Sequence, residues 1–293
     1  MDPASLPAPA LPAPVRIGVA GDWHGNTGWA VRAIRRICAQ LPAGSPRIVL
    51  HLGDFGIWPD RGGAEFLART DAALAAAGAQ LWFVDGNHED HAMLGRLSPG
   101  PDGRCPVTDR IWHLPRGYRW EWHGRRWLAL GGAVSLDRAE RTAGRDWWPE
   151  EEISAAQAAA VTAAGPADVL VSHDCPAGIE HAFTAPPPAW SRADVARARQ
   201  HQELLAGVAA AVRPSVVLHG HLHEYYRRTV DLGWGPVSVT GLDCDNAQHG
   251  NWGILDLAAL RWDRLQGQLL TGLARSLARR AVPPAGQHAA RHR

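Results

Sequence analysis

At 293 residues, 46% of them apolar, the chain can bury one large core or two small ones without staples. Its formal net charge is +1 and every basic side chain is Arg, so no global field draws it to nucleic acid or an anionic membrane. Cys38, Cys105, Cys175 and Cys244 are scattered with no Cys-x-x-Cys pair, which argues against a disulfide framework or a structural zinc knuckle.

Residues 1–14 (MDPASLPAPALPAP) repeat Pro and Ala without periodicity and predict a disordered, partly polyproline-like lead-in. They lack a positive n-region followed by an apolar core, and no later run is long enough to span a bilayer, so a cytoplasmic protein is expected. From Val15 apolar runs alternate with helical stretches. Val15–Ala20, Arg47–Leu52 and Gln80–Val84 read as strands, while Trp29–Gln40 and Ala64–Ala77 read as helices that stop before Pro42 and at Gly78. This alternation predicts β-α-β units. Farther on, Ile111–Leu114, Tyr118–Trp122 and Arg126–Leu130 alternate aromatic or apolar with polar residues, with a hairpin turn at Gly124. Glu150–Ala164 reads as a helix opening on Pro149 with acids in its first turn. Asp168–Ser172 predicts a strand and Ala193–Val212 a long helix. Val216–His219, Tyr225–Asp231, Pro236–Thr240 and Gly253–Leu257 read as strands of a second sheet. The α/β fold expected over residues 15–260 is therefore a four-layer α-β-β-α sandwich of two mixed sheets flanked by helices. Arg261–Arg280 has the pattern of an amphipathic helix, so residues 261–293 are expected to form a C-terminal helix and a frayed tail.

Five short polar segments fall where predicted strands end: Asp22-Trp23-His24, Gly53-Asp54, Gly86-Asn87-His88-Glu89, Ser172-His173 and Gly220-His221-Leu222-His223. They gather two aspartates, an asparagine and five histidines at the carboxyl edge of an open α/β sheet, where ligands bind. In extended backbone, the two-residue spacing of Asp22 and His24 puts both side chains on one face, and His221 and His223 repeat it. Imidazole and carboxylate donors suit Zn, Fe or Mn. Any one segment alone is more often an ordinary loop; five in one order are not.

In these residues the chain resembles the calcineurin-like metallophosphoesterase superfamily, in its bacterial form, from about Val15 to about Leu257. The resemblance implies that Asp22, His24, Asp54 and His223 hold one divalent metal. Asp54, Asn87, His173 and His221 would hold a second, with Asp54 bridging. It also implies that His88 is no ligand but faces the phosphate, to protonate the leaving oxygen or stabilise transition-state charge, typically a ~10²–10⁴-fold effect. Two divalent ions offset by Asp22, Asp54 and a bridging hydroxide leave about one positive charge, which suits an anionic phosphate and in-line attack of the metal hydroxide on phosphorus. The carboxylate that orients His88 stays open between Glu89, Asp90 and Asp60.

Other features read more plainly. Asp243-Cys244-Asp245-Asn246 lacks the Gly and distant Glu of a calcium loop and reads as a polar turn. Cys175 reads as a small apolar residue, and His51, His113, His123, His181 and His201 as ordinary histidines. His219 reads as a support for the Gly-His-Leu-His segment. Fourteen Trp against four Phe is unusual. Most read as core, and Trp147-Trp148 as a site rim able to stack on a base or aryl group.

The superfamily's Ser/Thr protein phosphatases carry an Asp and an Arg soon after Gly-Asp and an Arg before Gly-Asn-His-Glu. Both arginines are missing from Gly53-Asp54-Phe55-Gly56-Ile57-Trp58 and Val84-Asp85-Gly86-Asn87. Ser172–Ile179 is similar to the Ser-His-Asp-Trp-Pro segment of RNA lariat debranching enzymes, which have Cys where this chain has Asp22. The expected activity is metal-dependent hydrolysis of a small phosphodiester or nucleotide-like substrate, with no membrane partner and no long duplex. The alternatives are a nuclease or debranching-type phosphodiesterase, a phosphomonoesterase, and a catalytically silent metal-binding scaffold. All eight matched positions are occupied, which counts against the last.

Overall fold

The computed structural model describes residues 12–181 and 190–267. In chain order the first half runs β1 (Arg16–Ala20), α1 (Thr27–Cys38), β2 (Arg47–His51), α2 (Arg61–Ala77), β3 (Ala79–Phe83), α3 (His91–Leu94), β4 (Cys105–Pro106) and β5 (Ile111–His113). It continues through β6 (Arg119–Trp122), β7 (Arg125–Leu130), α4 (Ala155–Ala163), β8 (Val169–Ser172) and α5 (Arg192–Val212). The last strands are β9 (Val216–His219), β10 (Tyr226–Asp231), β11 (Pro236–Gly241), β12 (Trp252–Asp256) and β13 (Arg261–Leu265).

The strands form two mixed sheets, ordered β13-β12-β1-β2-β3-β5-β4 and β10-β11-β9-β8-β7-β6. Period-two alternation along each strand explains how they stack. Ile17, Val19, Ile48, Leu50 and Trp82 point from the first sheet into a shared layer with Trp120, Trp127, Val169, Val171 and Leu218 of the second. The opposite face of the first sheet carries Val49, Leu81 and Phe83 against Ile34, Ile37 and Leu74 of α1 and α2. The outer face of the second sheet packs Leu170 and Val217 against Val208 and Val212 of α5. The result is the expected α-β-β-α sandwich. Polar side chains set where helices begin: Asn26 caps α1, Asp60 caps α2 and Ser191 caps α5.

Three expectations change. The helix placed at Glu150–Ala164 is broken: Pro149–Glu151 is a 3-10 turn, and α4 starts only after Ser154, which forms a capping box with Gln157. Glu151 is then free to turn inward, where it is fully buried. The strand at Gly253–Leu257 belongs to the first sheet, since β12 pairs antiparallel with β1. Its two faces are both apolar and buried, Ile254 towards α1 and Leu255 between the sheets, so composition alone gave no side. Finally, Arg261–Leu265 is an edge strand rather than the start of a helix. It pairs with β12, Arg16 meets Asp263 at 2.6 Å, and the Trp262 indole donates to Thr240. Residues 268–293, where the expected helix and tail continue, and residues 1–11 of the expected lead-in lie outside the described residues. Among the described residues no helix is long and apolar enough to cross a membrane.

Candidate metal centre

Every polar segment singled out in the sequence lies just beyond the carboxyl end of a parallel strand: Asp22 after β1, Asp54 after β2, Asn87 after β3, His173 after β8 and His221 after β9. The two sheets thus deliver their loops to one seam. The spacing argument needs a correction, because these turns are not extended. Asp22, His24, Asp54, His221 and His223 all have φ between 47° and 66°, the left-handed region that non-glycine residues avoid. Each costs on the order of 1–3 kcal/mol and persists only where its surroundings hold it. Here the loops hold one another: Asp22 N–H donates to Gly53 O (3.1 Å) and His24 N–H to Asp54 O (2.8 Å). The intervening glycines are forced by close approach, since a Cβ on Gly86 would collide with Asp54 and one on Gly220 with Asp22.

Ligand-type atoms of Asp22, His24, Asp54 and His223 all lie within 4.8 Å of one another. Asp54 stands between two groups. Its Oδ2 is 3.3 Å from His24 Nε2, and its Oδ1 is 3.2 Å from His173 Nε2. His173 Nε2 is also 3.2 Å from Asn87 Oδ1, and the His173 and His221 rings are 5.1 Å apart. The donor set fits cations. Asp22 is fully buried, and its Oδ2 has no hydrogen-bond partner, a costly arrangement unless a positive charge meets it.

Electrostatics agree. Burial alone would lower the His24 pKa, but hydrogen bonds to Asp245 and Asp54 raise it to about 10. Burial likewise opposes charge on His173, and the Asp54 carboxylate overrides it, raising the pKa to about 9. Asp54 itself, despite burial, is held well below its ordinary value by His173 and His88. Burial pushes Asp22 up to about 7. His221 and His223 drop to about 4 and about 3, chiefly by burial.

Further residues orient this set. His173 Nδ1 donates to Leu52 O (2.7 Å), which turns Nε2 towards the carboxylates. His24 Nδ1 meets Asp245 Oδ1 at 3.4 Å, and Asp245 Oδ2 accepts from Asn26 (2.5 Å). Asn87 donates through Nδ2 to Ser135 Oγ (3.1 Å), whose own hydroxyl donates to Glu151 (2.6 Å), so the amide oxygen faces the site. His219 bridges Gly220 O (2.9 Å) and the Tyr226 hydroxyl (2.6 Å), supporting the Gly-His-Leu-His loop as expected. His201 Nδ1 meets Asp174 Oδ2 at 2.8 Å, a buried pair whose Asp174 is next in the chain to His173.

Asp245, Ser135, Glu151 and Arg141 were not legible as site residues. Asp245 sits in the run read as a polar turn. Its one sequence signal was a carboxylate soon after a strand end.

His88 stands outside the cluster, edge-on to His24 with ring centroids 5.3 Å apart, and its backbone N–H donates to Asp54 Oδ1 (2.8 Å). None of the three candidate carboxylates orients it. Glu89 accepts from the backbone of Phe55, Gly56 and Ile57, Asp90 caps α3 and Asp60 caps α2. Its ring meets Arg141, whose Nη2 is 2.6 Å from Nδ1 and also touches Nε2. Burial first, and then the charges of Arg141 and His24, keep the ring well below its ordinary pKa and so neutral. The expected aromatic rim also moves. Trp148 is buried, and the Trp147 ring carries Arg138 at 4.7 Å, whereas half-buried Trp58 stands edge-on to His88 at 6.2 Å.

A model of the calcineurin-like phosphoesterase family matches residues 15–225. The search of curated proteins finds no match. Among solved structures, the protein TT1561 of Thermus thermophilus is similar at 14% identity and TM-score 0.50, covering 85% of this chain and 97% of that one. A conserved Streptococcus pneumoniae protein described as a predicted phosphoesterase is 12% identical at TM-score 0.34, covering 83% of each chain. The phosphopantetheinyl hydrolase PptH of Mycobacterium tuberculosis is 13% identical at TM-score 0.38, covering 78% of this chain and 90% of that one. The likeness to TT1561 bears on the fold alone. With the family match running through the strands and loops that carry the site, the chain belongs to the calcineurin-like phosphoesterases and is a phosphoester hydrolase.

Proposed function

We propose that Asp22, His24, Asp54 and His223 hold one divalent cation and Asp54, Asn87, His173 and His221 a second, and that a small phosphoric ester is hydrolysed there. The observation that carries this is the Asp54 carboxylate, whose two oxygens face His24 and His173 separately. One such group can serve two ions. Mn, Fe or Zn suit these donors. When bound, such ions supply positive charge that polarises the phosphoryl group and acidifies water.

The chain's own residues do the rest. Asp245 and Leu52 O fix the ring orientations of His24 and His173, and Ser135 fixes the amide of Asn87. His88, beside His24 and Arg141, is the group placed to hold or pass a proton at a phosphoryl or leaving oxygen once a substrate draws the Arg141 guanidinium away from its ring.

Two features bear on the expected diester: Arg141 brings a guanidinium against His88 from outside the motif segments, and Trp148 is buried and not a rim residue. The substrate class that remains is a small ester, with the Trp58 ring beside His88 as a surface on which a base or aryl group could stack. Four free cysteines, three of them buried, fit a reducing cytoplasm. The test is a screen of the purified protein on nucleotides, p-nitrophenyl phosphate and bis(p-nitrophenyl) phosphate with Mn, Zn, Fe, Ni and Mg added singly. Hydrolysis that a chelator abolishes and one transition metal restores is the expected result. Metal binding without turnover of any ester would favour a silent scaffold instead.

A further inference from the structure

Resting on the hydrolase reading, we infer that Arg141 binds the phosphoryl group beside His88 and that this grip favours phosphomonoester dianions over diesters. Arg141 comes from the segment between β7 and α4, away from all five motif segments. Its side chain is only 7% exposed, yet Asp137, its carboxylate partner at 2.8 Å among the described residues, is 45% exposed. The guanidinium also donates to Asp146 O (3.0 Å) and touches both ring nitrogens of His88. A buried guanidinium thus lies against a ring that adjoins the cluster of proposed ligands.

Contacts within the loop and to its neighbours define the placement. Thr142 N–H donates to Asp146 Oδ1 (2.5 Å), and Arg138 lies over Trp147, closing the Arg141 loop on itself. Arg116 bonds Asp85, one residue before Gly86-Asn87-His88, and also the carbonyls of Glu150, Glu151 and Glu152. The segment that carries Arg141 and the one that carries His88 are therefore tied together.

Chemistry then selects the ligand. A guanidinium forms charge-assisted, paired hydrogen bonds to phosphate oxygens. A monoester offers three non-bridging oxygens and up to two charges; a diester offers two and one. An added fixed cation therefore gains more from the monoester.

The test uses metal-loaded full-length protein, Arg141→Ala and Arg141→Lys. It measures inorganic phosphate binding by calorimetry, and kcat and KM on p-nitrophenyl phosphate and bis(p-nitrophenyl) phosphate. With metal content unchanged, Arg141→Ala should weaken phosphate binding and monoester kcat/KM about 10- to 100-fold. Diester kcat/KM should fall by less than about threefold, with Arg141→Lys between the two on the monoester. Equal losses on both esters, or unchanged phosphate affinity, would overturn the inference. If Arg141→Ala fails to fold, Arg141→Lys reads the same split. If the wild type binds phosphate through Arg141 but hydrolyses neither ester, the hydrolase reading fails while the arginine's role as a phosphate ligand stands.

Discussion

Asp245 touches the proposed ligand set without belonging to it. It reaches His24 through Nδ1, which leaves Nε2 to face Asp54. Partners of this kind typically change metal affinity about 10- to 100-fold, so Asp245→Asn should weaken metal binding by about that factor while the fold persists. A metal titration checks it, and an unchanged affinity would remove Asp245 from the site. His88 predicts the reverse pattern. His88→Ala should keep its metal and its melting temperature while kcat falls about 100-fold or more. Parallel loss of metal and activity would make His88 a ligand. The donor residues themselves were legible in the sequence because only a few side chain types can hold such ions, and they recur at strand ends. Asp245 and Arg141 were not, since what brings them to the site is the packing of distant loops.

The elements were legible wherever one face is apolar and the other polar, and less so where both faces are buried. That is why β12 was placed in the wrong sheet; β13 misled for another reason, being a short, mostly exposed edge strand whose Arg261, Asp263 and Arg264 also suit the polar face of a helix. The connection between elements that matters most for the site is Asp85 with Arg116, at 2.6 Å. Burial alone would raise the Asp85 pKa, but Arg116, then His113, hold it well below the usual carboxylate range. A depressed folded pKa stabilises the fold above the unfolded value of about 4 and is lost as pH falls below it. Arg116→Met leaves that carboxylate buried without its cation, so it should cost about 3–5 kcal/mol at pH 7. The penalty should shrink towards pH 4, where protonation relieves the charge. Urea unfolding of both proteins from pH 4 to pH 8 measures this; parallel curves would show that the pair contributes nothing specific.

On the scale of the whole molecule, the centre is a seam: β1, β2 and β3 of one sheet and β8 and β9 of the other each deliver a loop to it. Without metal, protons on His24 and His173 supply the positive charge there, with pKa values of about 10 and about 9. Cations must displace them, so loading at pH 7 should release roughly two protons per chain and tighten as pH rises. Calorimetry in two buffers of different ionisation enthalpy reads that number, and no release would contradict it. The two-cation reading is tested most directly by elemental analysis of protein purified without chelator, wild type beside Asp54→Ala and Asn87→Ala. Wild type should approach about two equivalents, Asp54→Ala should lose occupancy at both positions, and Asn87→Ala at one. Wild type saturating at one equivalent, or Asp54→Ala retaining two, would contradict it.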